Sequence, residues 1–421
     1  MYTRIKEGIR SRVHRGLGVI EQGALAALRH APLDSSRFGP PRGFEQTAEI
    51  WATADGYTDR KLHVLKPDQD FRRTLPKTID DSVPWQFKQS YGGVEGRALP
   101  GTVLEVPRGR VHGTGTIIDA HDQMIGDVSR EMILFNDQTK HSIFKRMRLP
   151  PVTDVSGTVG VSAVVGSGVY WHWMVDLLPR LYLLRCYERD IAPVDRIVIS
   201  PIRSKFQEET LAALQIDRST LMETHHDQFH IRADRVLAPC ITPQVPARWM
   251  CDFLHDELGF RLGASTIDTP ELLYVSRNDA GSRRLVNEDA VMARLEPLGF
   301  RKVTMTGLRV ADQAALFRNA RAIITPHGSG LTNMVFSNPG TVVIELFQPA
   351  YMNSCYWAIA DFLQIDYYAF IGKGSSVPPP PPGVDSRLWS YNNRAPDSEY
   401  GDDVMVDIDS LVQLVERAVM G

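Results

Sequence analysis

Short strands and helices alternate through the second half of the chain, and this alternation constrains the fold more than any other feature of the sequence. Apolar runs predict strands at residues 272–276, 302–306, 322–325, 342–347 and 367–371, and the segments between them predict helices at 287–298, 311–319 and 352–363. Strands joined by short crossover helices form a parallel sheet with helices on its faces. We therefore expect a doubly wound α/β domain that binds its ligand at the carboxyl ends of its strands.

The first half of the chain predicts a second unit with more hairpins. Short apolar alternations between Gly, Asp and Asn predict β-hairpins from residue 99 to about 156, and a strongly apolar helix follows at 170–189. A strand at 196–200, a helix at 205–214 and a strand at 235–238 complete an α/β domain. Residues 34–84 are rich in Pro, Gly and charge and are predicted to belong to a partly irregular, β-hairpin-rich extension. We divide the chain into an N-terminal extension (1–84), a first α/β domain (85–245) and a second one (246–421).

Composition excludes several classes of protein. With 43% hydrophobic and 23% charged residues over 421 positions, the chain can bury two cores. A net charge of -3 gives no support for a nucleic-acid partner. The four cysteines are widely spaced, which predicts reduced thiols in a cytosolic compartment. No apolar run reaches the roughly 18 residues that would predict a membrane-spanning helix.

The first 31 residues place basic side chains before an apolar stretch. Glu21 and Gln22 interrupt the apolar part, so a cleaved signal peptide is not predicted. Two interpretations stay open for this segment. One is a basic amphipathic helix on an anionic membrane surface, and the other is a frayed, solvated terminus.

A turn after the predicted strand 322–325 is the first candidate site. Its residues are His327, Gly328, Ser329, Gly330, Leu331, Thr332 and Asn333. The first amides of a helix lack intrahelical partners and bind phosphate, and we predict such amides at 329–332. His327 could bind a phosphate or sugar oxygen, and Glu345, in the next strand, could accept hydrogen bonds from ribose or sugar hydroxyls. The alternative is a tight turn with a satisfied histidine.

The predicted helix 170–189 carries the second candidate site. His172 and Asp176 are four residues apart and therefore share one helix face. A carboxylate there can orient the imidazole and raise its basicity, which is the pairing that a general base needs. The alternative is a core histidine flanked by packing tryptophans, with Asp176 capping the helix that begins near Pro179.

Arginines after the predicted strand 272–276 form the third candidate site. Arg277 follows the strand directly, and Arg283 and Arg284 lie in the loop before the next helix. Because guanidinium groups bind phosphate oxygens in bidentate fashion, we select Arg277 and Arg284 as diphosphate ligands. The alternative is a solvated loop leading to a helix that Asn287 caps.

No metal site is predicted. Asp407 and Asp409 form an Asp-x-Asp at the start of the terminal helix, where Asp409 is expected to be the N-cap. A second group contains His225, His226, Asp227 and His230. It lacks a helix that would align its side chains for a metal ion. The five prolines at 378–382 predict an extended loop whose role the sequence does not reveal.

Four motifs in this order resemble those of glycosyltransferase family 61. They are HWMVDLLPRL from His172, YVSRNDAGSRRLVNE from Tyr274, the helix residues 311–317, and the His-Gly-Ser-Gly-Leu-Thr-Asn segment that continues to Ile-Glu-Leu. The resemblance covers about residues 100–375. One departure is Ser329, where the family usually has Ala, and this change preserves the turn.

The resemblance implies a GT-B architecture, in which two Rossmann-like domains face each other across a cleft. It implies an inverting transfer without metal or cofactor, from a nucleotide-sugar donor on the second domain to a saccharide or glycolipid acceptor on the first. It further implies surface polysaccharide synthesis in a bacterial cytoplasm. Peripheral contact with the inner membrane through the basic N-terminus and a homo-oligomer stay open.

Under this resemblance the catalytic residues are His172 and Asp176, one of which deprotonates the acceptor hydroxyl. We favour Asp176 as the base, and the reverse order stays open. Two other classes of protein are considered. A nucleotide-dependent dehydrogenase is disfavoured because no Gly-x-Gly-x-x-Gly fingerprint occurs. A catalytically idle scaffold in a polysaccharide assembly complex is the alternative function.

Overall fold

A computed structural model describes residues 39–46, 61–89, 93–129, 131, 138–225, 228–241, 246–382, 389 and 403–421. The predictions for the basic N-terminal segment therefore lie outside the described residues. Within these ranges, no helix combines the length and the apolar character needed to cross a membrane.

The strands are numbered here in chain order. They are β1 (Gly43–Glu45), β2 (Lys61–Lys66), β3 (Gln69–Arg72), β4 (Glu95–Ala98), β5 (Gly101–Pro107), β6 (Arg110–His112), β7 (Thr116–Ile118), β8 (Gln123–Ile125), β9 (Thr153–Val161), β10 (Arg196–Ile199), β11 (Leu221–Glu223), β12 (His230–Cys240), β13 (Leu272–Ser276), β14 (Arg301–Thr304), β15 (Ala322–Pro326), β16 (Val342–Phe347) and β17 (Asp366–Ile371).

The helices follow the same order. They are α1 (Trp85–Gln89), α2 (Leu178–Asp190), α3 (Lys205–Ala213), α4 (Arg248–Asp252), α5 (Gly259–Arg261), α6 (Glu288–Leu295), α7 (Val310–Asn319), α8 (Cys355–Phe362) and α9 (Ile408–Val415). π-helical segments occur at His172–Leu177, Phe253–Leu258 and Glu416–Met420. Short 3-10 helices occur at Gln138–Lys140, Ser142–Lys145, Arg218–Thr220, Glu296–Leu298 and Ser329–Phe336.

The second half forms a parallel sheet with the strand order β14-β13-β15-β16-β17. Nearly every residue of β13, β15 and β16 is buried, which is why these strands read as continuous apolar runs. The strand bounds predicted at 272–276 and 342–347 are those observed. The predicted mixed α/β class is confirmed.

The first half forms a larger mixed sheet. Its strand order is β1-β8-β7-β6-β12-β9-β10-β11, with β5 pairing both β12 and β2. β12 is parallel to β9 but antiparallel to β5 and β6, so hairpins and crossover strands share one sheet. The helix α2 packs on β5 and β12, and its buried residues cover most of its circumference.

A single hydrophobic cluster connects the two sheets. It includes Trp173 and Leu237 from the first half, and Phe317, Phe336 and Phe347 from the second. Each fully buried side chain of this size contributes roughly 2 kcal/mol of transfer free energy to folding. A polar contact adds to it, since the Val310 amide at the start of α7 donates to Glu209 Oε2 of α3 over 2.6 Å.

The segment 34–84, predicted to be partly irregular, contains the ordered strands β1, β2 and β3. These strands pair with β8, β5 and β4, which follow them in the chain. Further along, Lys77 extends the second sheet beside β17: its amide donates to Tyr367 O at 3.0 Å and its carbonyl accepts from Ala369 at 2.9 Å. Phe87 of α1 then packs edge-on against Phe347.

Two predicted helix caps differ from those observed. Asp407, not Asp409, is the N-cap of α9, because its carboxylate accepts from the Ser410 amide at 3.1 Å. Asp409 lies in the first turn and pairs with Arg294 at 2.8 Å. Asn287 occupies the N-cap position of α6, but its side chain donates to Val406 O at 2.9 Å instead of capping the helix.

Candidate functional site

The turn after β15 leads into a 3-10 helix, not an α-helix. Its predicted row of unpaired amides is partly wrong, since the Leu331 amide donates to Gly328 O at 2.9 Å. The side chains of Leu331, Thr332 and Asn333 are buried. Asn333 donates to Gln313 Oε1 at 2.9 Å, which ties the 3-10 helix to α7. Ser329 and Gly330 are less buried and start that helix.

His327 is held by a chain of two buried partners. Its Nδ1 makes a short hydrogen bond with Glu345 Oε1. The Tyr367 hydroxyl donates a hydrogen bond to Glu345 Oε2. Glu345 has no exposed surface. The predicted direct contact between Glu345 and a sugar hydroxyl is therefore corrected, because both carboxylate oxygens are occupied behind His327.

Aromatic rings surround the His327 imidazole. Phe347 stacks on it at a centroid distance of 5.5 Å, and Tyr351 and Tyr356 approach at 5.6 and 5.3 Å. Tyr356 also donates its hydroxyl to Gly328 O at 2.8 Å, which fixes the peptide after His327. Burial lowers the pKa of His327, and Glu345 opposes this effect.

Arg277 lies directly against Gly328. A Cβ at residue 328 would overlap the guanidinium group, with even Arg277 Nε only 2.9 Å away. The backbone φ of Gly328 is 172°, an extended value that any residue can adopt. Close packing against Arg277, and not backbone conformation, therefore requires glycine at this position. Arg277 also donates to Ser282 O at 3.2 Å. Burial lowers the pKa of Arg277, and the neighbouring Arg283 lowers it further.

Of the two arginines in this loop, Arg283 lies beside the His327 turn, whereas Arg284, which the sequence analysis selects, forms an ion pair with Asp403. Arg284 Nη2 forms a salt bridge with Asp403 Oδ2 at 3.1 Å, so its charge is already neutralised. Arg283 instead lies over the Tyr351 ring, 5.0 Å from its centroid, in a left-handed backbone conformation with φ 57°. Among the described residues, neither Arg277 nor Arg283 forms a salt bridge with a carboxylate.

Glu288 anchors the loop that presents Arg277. Ser276 Oγ donates to Glu288 at 2.8 Å, Tyr274 donates its hydroxyl at 3.1 Å, and the Asn278 side chain also donates to this carboxylate. Residues on both sides of Arg277 are thus tied to the start of α6. Sequence reasoning missed this role, although Glu288 stands within the quoted motif.

His172 and Asp176 form a buried pair, with 2.6 Å between Nδ1 and Oδ2. They lie on a π-helical segment, where all six residues from His172 to Leu177 are buried. π-Bulges of this kind occur frequently at functional sites. The predicted pairing across one helix face is therefore present, although the helix is locally wider than an α-helix.

The segment before His172 touches the turn at Gly328. Tyr170 donates its hydroxyl to Asn333 Oδ1 at 2.8 Å, and the Trp171 ring packs edge-on against Tyr356 at 4.9 Å. Tyr356 in turn holds Gly328. The structure thus brings the His172 segment from the first half to the His327 turn of the second half.

No group of three His, Cys, Asp or Glu side chains suited to a metal ion occurs among the described residues. Of the histidine-rich segment, His226 and Asp227 are not described. His230 donates from Nδ1 to Pro150 O at 2.7 Å and is buried in β12.

The parallel sheet, with a basic turn at the carboxyl ends of its strands, is compatible with the Rossmann-like α/β class of glycosyltransferases. Residues 170–344, which hold both His172 and His327, match the family model for glycosyltransferase 61.

Two proteins of Oryza sativa subsp. japonica are similar to part of the chain. The first is named beta-1,2-xylosyltransferase XAX1 and is 32% identical over 123 residues, which are 28% of this chain and 20% of that protein. The second is named beta-1,2-xylosyltransferase XYXT1 and is 30% identical over 131 residues, which are 31% of this chain and 24% of that protein. The chain spans less than a quarter of the length of each relative.

Proposed function

We propose that this protein is a glycosyltransferase that moves a sugar from a nucleotide-sugar donor to a hydroxyl group of a saccharide acceptor. The observation that carries this proposal is the position of Arg277 against Gly328 and of Arg283 over Tyr351, which approaches His327, inside the segment that matches the family-61 model. Two guanidinium groups without a carboxylate partner form a site for an anion, and a diphosphate is the anion common to nucleotide-sugar donors.

The proposed architecture is GT-B, with the donor on the second sheet and the acceptor on the first. Support comes from the position of Arg277 and His327, which follow the carboxyl ends of β13 and β15. The His172 segment reaches the same turn from the other half of the chain. In this arrangement the diphosphate lies between the two arginines and His327, and the nucleoside extends toward the end of β16.

The proposed reaction is a single displacement. The acceptor oxygen bonds to the anomeric carbon while the bond from this carbon to the diphosphate oxygen breaks, and the electron pair leaves with the nucleoside diphosphate. A base removes the proton of the acceptor hydroxyl, and attack from the opposite face inverts the configuration. Arg277 and Arg283 offset the charge of the leaving group without a metal ion.

The base of this reaction is His172 or Asp176. Sequence reasoning favours Asp176, but the contact between Nδ1 and the carboxylate supports the reverse order. A carboxylate at Nδ1 orients the ring and holds a proton on Nδ1, so that Nε2 can accept the acceptor proton. We therefore propose His172 as the base and Asp176 as the residue that orients it.

The acceptor that we propose is a saccharide in bacterial surface polysaccharide synthesis. This part rests on the resemblance of the sequence motifs to glycosyltransferase family 61, which includes bacterial enzymes of surface polysaccharide synthesis. The matched rice proteins are xylosyltransferases by name, so UDP-xylose belongs in any donor panel. A catalytically idle scaffold remains the alternative, but the buried pairs His172–Asp176 and His327–Glu345 favour an enzyme.

A donor-hydrolysis assay tests the proposal. The purified chain is incubated with UDP-xylose, UDP-N-acetylglucosamine, UDP-glucose and GDP-mannose, and release of nucleoside diphosphate is measured with and without oligosaccharide acceptors. We expect release from one donor above the background of a His172→Asn variant. A scaffold would release no nucleotide above that background from any donor.

A further inference from the structure

We propose that Glu345 is a positioning residue that couples binding of the donor's diphosphate to protonation of His327, an inference that rests on the proposed donor site. The His327 imidazole is influenced by one negative and two positive side chains. The buried Glu345 carboxylate lies on its Nδ1 side, and the guanidinium groups of Arg277 and Arg283 act on the same ring. This arrangement makes the charge of the imidazole depend on what the arginines bind.

The first step concerns the position of the protons. Glu345 accepts a hydrogen bond from Tyr367 at Oε2, and its Oε1 faces His327 Nδ1. A carboxylate in this position holds a proton on Nδ1, so the neutral ring has a bare Nε2. Only the imidazolium form can therefore donate from Nε2 to a phosphate oxygen. Among the described residues, Nε2 has no hydrogen-bond partner of its own.

The second step concerns charge in the ligand-free protein. Burial, Arg283 and Arg277 lower the pKa of His327, and Glu345 raises it. The other titratable groups are Tyr351 and Tyr356 beside the ring, and Cys355 and Tyr367 near Glu345. Burial raises the pKa of Cys355, Tyr356 and Tyr367, so these three are neutral. The net effect is a lowered pKa of His327, so the imidazole is neutral near pH 7 in the free protein.

The third step concerns the ligand. A diphosphate bound by Arg277 and Arg283 cancels the repulsion that these groups exert on an imidazolium and adds an attraction of its own. The ring then takes up a proton and gains Nε2–H, which donates to the diphosphate. Glu345 is needed because it holds the proton on Nδ1 and compensates the buried imidazolium on that side of the ring, whereas the diphosphate acts at Nε2.

The test follows the imidazole itself. The full chain is labelled with 13C at the histidine rings, and the twelve histidines are titrated with pH by NMR, with and without saturating UDP or GDP. The signal that is missing in His327→Asn identifies His327. We expect UDP or GDP to shift the pKa of His327 upward. In Glu345→Gln this shift should be lost, and in Glu345→Asp, which keeps the charge, it should be partly retained.

Each outcome decides a separate point. An unchanged pKa of His327 at saturating UDP or GDP overturns the coupling, and this needs only the wild-type protein if Glu345→Gln does not fold. A full upward shift in Glu345→Gln removes the role of Glu345. If transfer occurs but the pKa does not move, the inference fails and the proposed function stands. If the pKa moves but no donor is cleaved, the proposed reaction fails and the diphosphate site stands. If neither nucleotide binds, both donor-site proposals fail.

Discussion

The guanidinium group of Arg277 occupies the space that a side chain at Gly328 would need. This relationship joins the loop after β13 to the turn after β15, two segments that are distant in sequence and adjacent in the parallel sheet. It also explains why the turn begins with glycine although its backbone conformation does not require one. Glu288 and Tyr356 fix the two sides of this contact.

Replacing Gly328 by alanine tests this relationship. The new Cβ would displace Arg277, while the extended backbone at residue 328 imposes no strain. We expect a donor KM about 10-fold higher, because one charge-assisted contact to the diphosphate is lost, and little change in Tm. Gly330→Ala is the matched control, since its Cβ would lie 3.4 Å from Met305 Cγ, an ordinary contact. Equal effects of both variants on KM would contradict the assignment.

Arg283 and Arg284 are neighbours with different surroundings, which makes them a matched pair. Arg283→Gln should raise the donor KM by roughly 10- to 100-fold, because this side chain has no carboxylate partner and is placed for the diphosphate. Arg284→Gln should leave KM within about 3-fold of wild type, because it loses only a half-exposed ion pair with Asp403. Initial rates over a range of donor concentrations measure both. The reverse ranking would restore Arg284 as the ligand.

Periodicity in the sequence predicts the second sheet well, because buried parallel strands are apolar along their whole length. β13 and β16 have the predicted bounds. The sequence does not predict strands β1 to β3. They are short and partly exposed, and their partners lie in later hairpins, so no local pattern marks them.

The sequence likewise predicts only part of the candidate site. The sequence places His327 on a turn and His172 four residues before Asp176, and both features are present. It cannot choose between Arg283 and Arg284, since that choice depends on Asp403, 119 positions after Arg284. It also cannot show that Glu345 lies behind His327, because this follows from the pairing of β15 with β16. The pairing of β16 with β17 then brings Tyr367 to the same carboxylate.

Acid stability should depend on His230. Burial is the main cause that lowers its pKa from 6.5 to about 4, with Arg110 and Arg232 acting in the same direction and the hydrogen bond to Pro150 O acting against it. Between about pH 6.5 and pH 4 the imidazole of His230 is therefore protonated in the unfolded chain and neutral in the folded chain. The free energy of unfolding should fall over this range as the pH decreases, by on the order of 2–3 kcal/mol from this residue.

Urea unfolding at a series of pH values measures this effect. His230→Gln has no titrating group at this position, so its free energy of unfolding should decrease less steeply between pH 6.5 and 4 than that of the wild type. The absolute stability of the variant is not the readout, because any substitution in β12 changes it. Parallel curves for the two proteins would show that His230 titrates normally in the folded state.

The His172–Asp176 pair should govern turnover and not donor binding. His172→Asn and Asp176→Asn should each lower kcat by roughly 10²- to 10⁴-fold, the usual contribution of a general base, with an unchanged Kd for the donor. The loss should be larger for His172→Asn, since we propose that the imidazole accepts the proton and that Asp176 orients it. A larger loss in Asp176→Asn would assign the base to the carboxylate.

The control for this experiment is His63→Gln. His63 also pairs with a buried carboxylate, Glu105, with 2.7 Å between Nε2 and Oε1, but it lies on β2 and contacts Tyr187 of α2. Its loss should reduce stability and leave kcat within about 3-fold of wild type. If His63→Gln lowered kcat as much as His172→Asn, the decrease would reflect damage to the first sheet. If neither variant of the His172–Asp176 pair lowered kcat, a different group would be the base.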